Sequence, residues 1–481
     1  MKKKLRFLFL LAGFISLNLS AKVTVDNMFS SNMVLQRGKP IHIWGRAECG
    51  EKVAVSFAGQ HAMTTADATG NWEITLKQQT ASCKPRNIRI SGKSEKIVLE
   101  NILVGDVWLA SGQSNMQYSM TEKMPQPSGT DSLRMKNDYE NANDKLVRLL
   151  LVRKDLSSLS LPTDGWKTVG KESLKDFSAV AYYFAHNLAD SLKVPVGIIA
   201  SSWGGSPIES WIPEDVYKKS SFYSDKRNMW QYNRCALGDK YLHMIKPLIR
   251  MQICGFLWYQ GEANLSWHET SIYTDKQKSL IECWRKAWGD DSLPFYYVQI
   301  TPYTYSIERY RRFPLTWDLE AEFWKAQQDC LAVDNTAMVY TTDLTDNVAY
   351  LHPSYKWKVG ERLARVALNR HYKQKDVVCD GPTVKSISVD RNNNTINISF
   401  DNAYGGIRTR DGKDPNWFYL RDKRGRFAPA QSAYINGNKV VIKCKSINEK
   451  TAVRFGWDET ATPNLENAYG LPAVVFMKEC E

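Results

Sequence analysis

Alternating apolar and polar positions mark both ends of the chain, and a helical repeat marks its middle. Over residues 22–103, short runs such as IHIWG (41–45), VAVSF (53–57), WEITL (72–76) and IRI (88–90) are separated by turn signals such as ATGN. A period of two at this spacing predicts a small β-domain whose strands bury one face each. Residues 380–481 read alike. VKSISV and TINISF flank the turn stretch DRNNN, and KVVIK follows NGN, which predicts a second β-sandwich-like unit.

Between them, over 104–376, the period changes. FSAVAYYFAHNLADSL (177–192) sets Val180, Tyr183, Phe184 and Leu188 at helical spacing and leads through Pro195 into the apolar run VGIIAS. AEFWKAQQDCLA reads as a helix before the strand AMVYTTD, and WKVGERLARVAL carries Val359, Leu363, Val366 and Ala367 on one helical face. Strands alternating with helices predict an α/β domain with a mostly parallel sheet, which binds its ligand at the carboxyl ends of the strands.

The first 21 residues belong to neither pattern. MKKKLR is basic, FLFLLAGFISLNL is apolar but too short for a spanning helix, and Ser20-Ala21 ends small. This is the pattern of a secretory signal peptide cleaved after Ala21, with retention as an anchor as the alternative. It predicts an exported protein, periplasmic or secreted from a bacterium, with no stable membrane insertion. Losing Lys2, Lys3, Lys4 and Arg6 takes the net charge from +13 to +9. The rest is scattered, with no basic run or nucleic-acid motif, so no nucleic-acid partner is expected. Nine cysteines show no zinc spacing, and buried free thiols are the expectation for most of them. The sequence sets no oligomeric state.

Four apolar runs break into glycine and small polar residues where the active edge of the sheet would lie. VGDVWLA runs into SGQSNM, VGIIAS into SWGGSPIESW, CGFLWY into QGEAN, and AMVYTTD into LTDNVAYLHP. Acyl transfer at a serine needs a nucleophile, a base and donors for an oxyanion. Ser114 is the candidate nucleophile, its bland counterpart being a turn serine that caps a helix. No G-x-S-x-G elbow is present. Of seven histidines, His352 stands at a loop–helix junction on the active edge, and His268 is the reserve. Trp203-Gly204-Gly205 offers backbone N–H groups and Asn264 a side-chain amide, although each also fits a plain turn or cap.

GQSNM, SSWGGSPIESW, WYQGEAN and LHPSYKWKVGERLA together resemble the four sequence blocks of SGNH hydrolases, and most closely the sialate O-acetylesterase-like branch. MVLQRGKPIHIWG and NAYGLPAVVF extend the resemblance over almost the whole mature chain. The resemblance implies a three-layer α/β/α core with a parallel sheet, flanked by the two β-sandwich-like domains. It implies Ser114 as nucleophile, His352 as base, and an oxyanion hole of Ser114, Gly205 (Gly204 the rival) and Asn264. The partner it implies is an acetylated sugar, either sialic acid or a plant polysaccharide such as xylan, and no metal or organic cofactor is required.

One element departs from the family. Many members place Asp three residues before the histidine, and Ala349 stands there. Asp346, with Asp343 as its rival, is the candidate to orient the imidazole, and a backbone carbonyl is the other option. Gln113, Gln260 and Trp203 are candidate sugar contacts, with Trp211, Trp258 and Trp267 as further walls or as core. Two readings compete. A glycoside hydrolase would use Glu262 with Glu209 as second carboxylate, and a carbohydrate-binding protein would need no Ser–His pair.

Overall fold

The computed structural model describes residues 22–93, 95–122, 133–224, 236–307, 315–445, 447 and 451–480. Residues 1–21, for which a signal peptide is expected, and Cys235 lie outside these. One 17-residue strand, β1 (Lys96–Gly112), joins the two sequence regimes. Its first half pairs antiparallel with Ser82–Ser91 and parallel with Val34–Gln36. Its second half is the centre of the parallel sheet, so the expected 103/104 boundary falls inside a strand.

The sheet continues with β2 (Val147–Leu151), β3 (Val196–Ser202), β4 (Gly255–Tyr259), β5 (Phe295–Val298) and β6 (Thr336–Val339). Their spatial order is β2-β3-β1-β4-β5-β6, and every neighbouring pair among these six is parallel. From β1 the chain runs outward to β2, returns at β3, then crosses to β4 on the other side. The direction of winding therefore reverses beside β1, and the crevice beyond the carboxyl ends there is where such sheets bind ligands.

Six helices bear on the site. They are α1 (Ser114–Gln117) directly after β1, α2 (Ala179–Leu192) before β3, α3 (Glu262–Ser266) and α4 (Thr270–Trp288) after β4, α5 (Leu319–Asp329) before β6, and α6 (Lys356–Arg370) after it. Alternate strand residues serve opposite faces. Trp108 and Ala110 pack with Val180, Phe184 and Leu188 of α2 and with Leu363 and Ala367 of α6. Leu109, Phe256 and Trp258 pack with Leu280 and Trp284 of α4 and with Phe323 and Trp324 of α5. Each fully buried side chain of this size contributes about 1.5–3 kcal/mol, which fixes the register that aligns the strand ends. Helix α2 starts at Ala179 because the Ser178 hydroxyl accepts the Ala181 N–H.

The alternation read at both ends is realised. In Lys52–Phe57 and Asn71–Leu76 every second residue is buried. In the C-terminal region two four-stranded sheets share one core, with Ile396, Ile398, Val440 and Ile442 packed with Phe418, Val453 and Phe455. All eight described cysteines are free thiols. Among the described residues no helix is long and apolar enough to cross a membrane.

Candidate active site

The site begins where β1 ends against β4. Gly112 has φ +142°, and a Cβ there would meet the Tyr259 carbonyl oxygen at 2.1 Å, so only glycine lets the strand end this close to its neighbour. The next N–H, of Gln113, donates to that same oxygen at 3.0 Å. Ser114 then opens α1, half-exposed, with its own N–H meeting no acceptor among the described residues.

From 238 positions away, His352 brings Nε2 to 2.8 Å from the Ser114 Oγ. The loop carrying it is tied to the Ser114 turn, because Asn115 Nδ2 donates to the Leu351 carbonyl at 3.1 Å. Partial burial, with the nearby Lys356 ammonium, lowers the His352 pKa to about 4, so the imidazole is neutral and able to accept a proton at ordinary pH. His268, the reserve, is exposed and is not the histidine on Ser114.

The orienting carboxylate does not materialise. Asp346 is exposed and accepts the Tyr355 hydroxyl at 2.6 Å. Asp343 is held in a two-toothed pair by Arg362, at 2.8 and 2.6 Å, because a nearly buried guanidinium takes the nearest carboxylate. No carboxylate among the described residues hydrogen-bonds the His352 ring.

Behind the serine lies a buried cluster whose partnership sequence reasoning missed. Lys356 Nζ donates to Asn115 Oδ1 at 2.6 Å, and Asn115 Nδ2 donates to Glu262 Oε1 at 2.5 Å. Burial pushes Lys356 down to about 7 and Glu262 up. Its sequence signal was slight: a lysine four residues after His352, opening a helix whose apolar face packs in the core.

The loop after β3 lies over Ser114. A Cβ on Gly204 would sit 3.4 Å from the Ser114 Cβ, and the Gly204 N–H is already given to Gln117 Oε1 at 2.7 Å. Gly205, at φ +71° and exposed, keeps its N–H without an acceptor among the described residues. Of the two rival glycines, Gly205 is the one with a free donor.

Asn264 is a correction. Its Oδ1 accepts the Ile208 N–H at 3.0 Å and Gln260 Nε2 at 2.7 Å, while its Nδ2 faces Glu209 at 3.1 and 3.2 Å and Glu269 at 2.5 Å. It is wholly buried, with its amide hydrogen-bonded to two interior carboxylates. Lys276 Nζ completes the cluster, bonding Glu209 and, at 2.8 Å, Glu269. Burial favours the neutral form of Glu209, but the Lys276 charge outweighs it and holds that carboxyl below its usual range. Burial and the charge of Glu209 push Glu269 up. A signal did exist here: Lys276 interrupts the apolar stripe of Tyr273, Leu280 and Trp284 on α4.

Gln260 is also interior, with Nε2 on Gln113 Oε1 at 3.1 Å and Oε1 accepting Tyr273 Oη at 2.9 Å. It does not face a substrate. Gln113 differs: its Oε1 accepts from Gln260 and from the Gly261 and Ala263 N–H groups, and its Nε2 has no acceptor among the described residues. Trp203 is half-buried with Lys240 Nζ 4.7 Å from its ring centroid. Trp267 is half-buried as well, whereas Trp211 and Trp258 are core residues. Glu209 and Glu262 are both interior and already bonded, so they offer no pair of cleft carboxylates for glycoside hydrolysis.

Residues 104–369 match a family of carbohydrate esterases described as sialic acid-specific acetylesterases. Sialate O-acetylesterase of Homo sapiens is 27% identical over 461 residues, spanning 89% of this chain and 86% of its own. The protein of that name from Mus musculus is 25% identical, with shares of 86% and 85%. Among solved structures, a carbohydrate acetylesterase from Xanthomonas citri superposes with a TM-score of 0.81 at 30% identity, covering 95% of this chain and 99% of its own.

Proposed function

The chain belongs to the sialic acid-specific acetylesterase family of carbohydrate esterases, and from that premise we propose that it removes O-acetyl groups from sugars with Ser114 as nucleophile and His352 as base. The observation that carries this reading is the 2.8 Å contact between Ser114 Oγ and His352 Nε2 at the winding reversal of the sheet. We read the parallel sheet with helices on both faces as the three-layer SGNH core, spanning 104–376, with the β-regions 22–103 and 380–481 as its flanking domains.

In the first step Ser114 Oγ attacks the acetyl carbonyl carbon while His352 Nε2 takes its proton. The carbonyl oxygen becomes an oxyanion, facing the free N–H groups of Ser114 and Gly205. We give the third donor to Gln113 Nε2 in place of Asn264, since three contacts on Gln113 Oε1 fix which end of that amide is free. Each such donor contributes about 3 kcal/mol to the transition state. The sugar oxygen leaves with the proton from His352. Water, deprotonated by the same nitrogen, then attacks the acetyl-serine, and acetate leaves as the proton returns to Ser114.

The substrate class we assign is an O-acetylated sugar, with acetylated sialic acid and acetylated xylan as the two to compare. Acetate release from each, by wild type and Ser114→Ala, tests the proposal. Release abolished by roughly four orders of magnitude or more in the variant supports it. Release that survives the change removes Ser114 as nucleophile.

A further inference from the structure

A second feature bears on carbohydrate, away from the Ser–His pair and independent of it. In the C-terminal region the strand β7 (Phe418–Arg421) turns Phe418 into the core and leaves Trp417 and Tyr419 on the opposite face, half-buried and outside the apolar cluster. Their ring centroids are 6.3 Å apart and tilted by only 32°, so the two present one broad aromatic surface. A groove of about 450 Å³ runs along it, bordered by Pro429 and Gln431 on one side and Asp414 and Asn416 on the other.

The backbone here is held in an unfavourable state. Trp417 has φ +61°, a left-handed conformation that a bulky residue adopts only when its surroundings force it. The force is visible. Asn464, buried, accepts the Asn416 N–H with its side chain, donates its own N–H to Asn416 Oδ1, and bonds Asp411 Oδ1 and the Asp414 carbonyl. The Trp417 carbonyl accepts the Gly456 N–H at 3.0 Å. A chain that needed only a turn would place Gly or Asn there. This one keeps tryptophan, whose indole N–H has no acceptor among the described residues.

We propose that this groove is a non-catalytic binding site for an uncharged polysaccharide chain, its sugar rings stacked on Trp417 and Tyr419. Aromatic faces match the C–H faces of pyranose rings, and the polar rim of Asp414, Asn416 and Gln431 matches their hydroxyls. The lining holds one carboxylate and no Lys, Arg or His, which favours a neutral chain over an acidic sugar.

The test is binding of full-length Ser114→Ala protein to soluble acetylated xylan and to chemically deacetylated xylan, measured by affinity electrophoresis and calorimetry. Binding to both is expected, because the groove reads rings and not acetyl groups. Trp417→Gly removes the ring and relieves the left-handed backbone. In the Ser114→Ala background it is expected to weaken binding at least tenfold with the melting temperature unchanged or raised, and Tyr419→Ser to weaken it less. In the otherwise wild-type chain, Trp417→Gly is expected to leave turnover of a small aryl acetate unchanged. Xylan binding that is absent, or undiminished in Trp417→Gly, overturns the site whatever the esterase assay gives. A lowered melting temperature in Trp417→Gly makes Trp417 a packing residue and overturns it too.

Discussion

Replacing Lys276 by methionine removes the cation that bridges two interior carboxylates. The side chains of Lys276, Glu209 and Glu269 are at most 1% exposed, so no solvent screens what is left. Taking one partner from a buried ion pair costs about 3–5 kcal/mol, because the remaining charge keeps its desolvation penalty and loses its compensation. At roughly 2–4 °C per kcal/mol for a chain of a few hundred residues, the melting temperature should fall by about 10 °C. Burial and the charge of Glu209 push the Glu269 pKa up and so favour its neutral form. Glu269→Gln keeps a neutral group whose oxygen can face the Asn264 and Lys276 donors and should melt close to wild type. Lys276→Met with Glu209→Gln should recover most of the loss, since the stranded charge leaves with its partner. Far-UV circular dichroism melts at pH 7, repeated in 1 M salt, measure all four proteins, and salt should change little because the pair is interior. The linkage has a definite sign. Glu269 has a raised pKa in the folded chain, so stability falls as pH rises from the ordinary carboxylate range through the raised one, and Glu269→Gln should flatten that slope. A Lys276→Met protein that melts within about 2 °C of wild type would refute the buried-pair argument, as would a Glu269→Gln as damaging as Lys276→Met.

Three further outcomes are expected. Because His352 titrates at about 4, kcat/KM on a small acetyl ester should hold as pH falls and decline only near that value, and Lys356→Met should move the acid limb to higher pH by removing a charge that opposes the imidazolium. Asp346→Asn should keep activity within about tenfold of wild type, whereas a true triad aspartate would cost about 10⁴; Asp343→Asn should instead lower the melting temperature, because it strands Arg362. Gly112→Ala drives a methyl group to 2.1 Å from the Tyr259 oxygen and should part β1 from β4, seen as lost activity together with a lowered melting temperature.

Much of this was legible because the period of hydrophobicity and the places where it breaks are local properties. The helices over 177–192 and 357–368, the strands at both ends of the chain and the four strand ends carrying Ser114, Gly205, Asn264 and His352 all emerge from windows of under twenty residues. The Ser–His pair was legible for a different reason. Few residue types accept a proton near neutral pH, and only one histidine stood on the active edge just before a helix.

What a polar side chain faces is set by what reaches it from elsewhere, and that is not local. Asn264 lies in α3, past the end of β4, and its Oδ1 faces inward to accept from Gln260, which directly follows that strand. Glu209 arrives from the loop after β3, Glu269 just before α4 and Lys276 within it, and the Asn264 amide is drawn onto both carboxylates beside that lysine. Gln113, one residue before the serine, meets the opposite circumstance, because backbone N–H groups from the start of α3 claim its oxygen and turn its amide nitrogen free. The same competition removes Asp343 from His352, since the Arg362 guanidinium offers two charge-assisted bonds where the imidazole offers one. The sequence block QGEAN therefore bears on the proposed oxyanion hole indirectly: its backbone N–H groups orient Gln113, while its asparagine hydrogen-bonds the buried acids beneath.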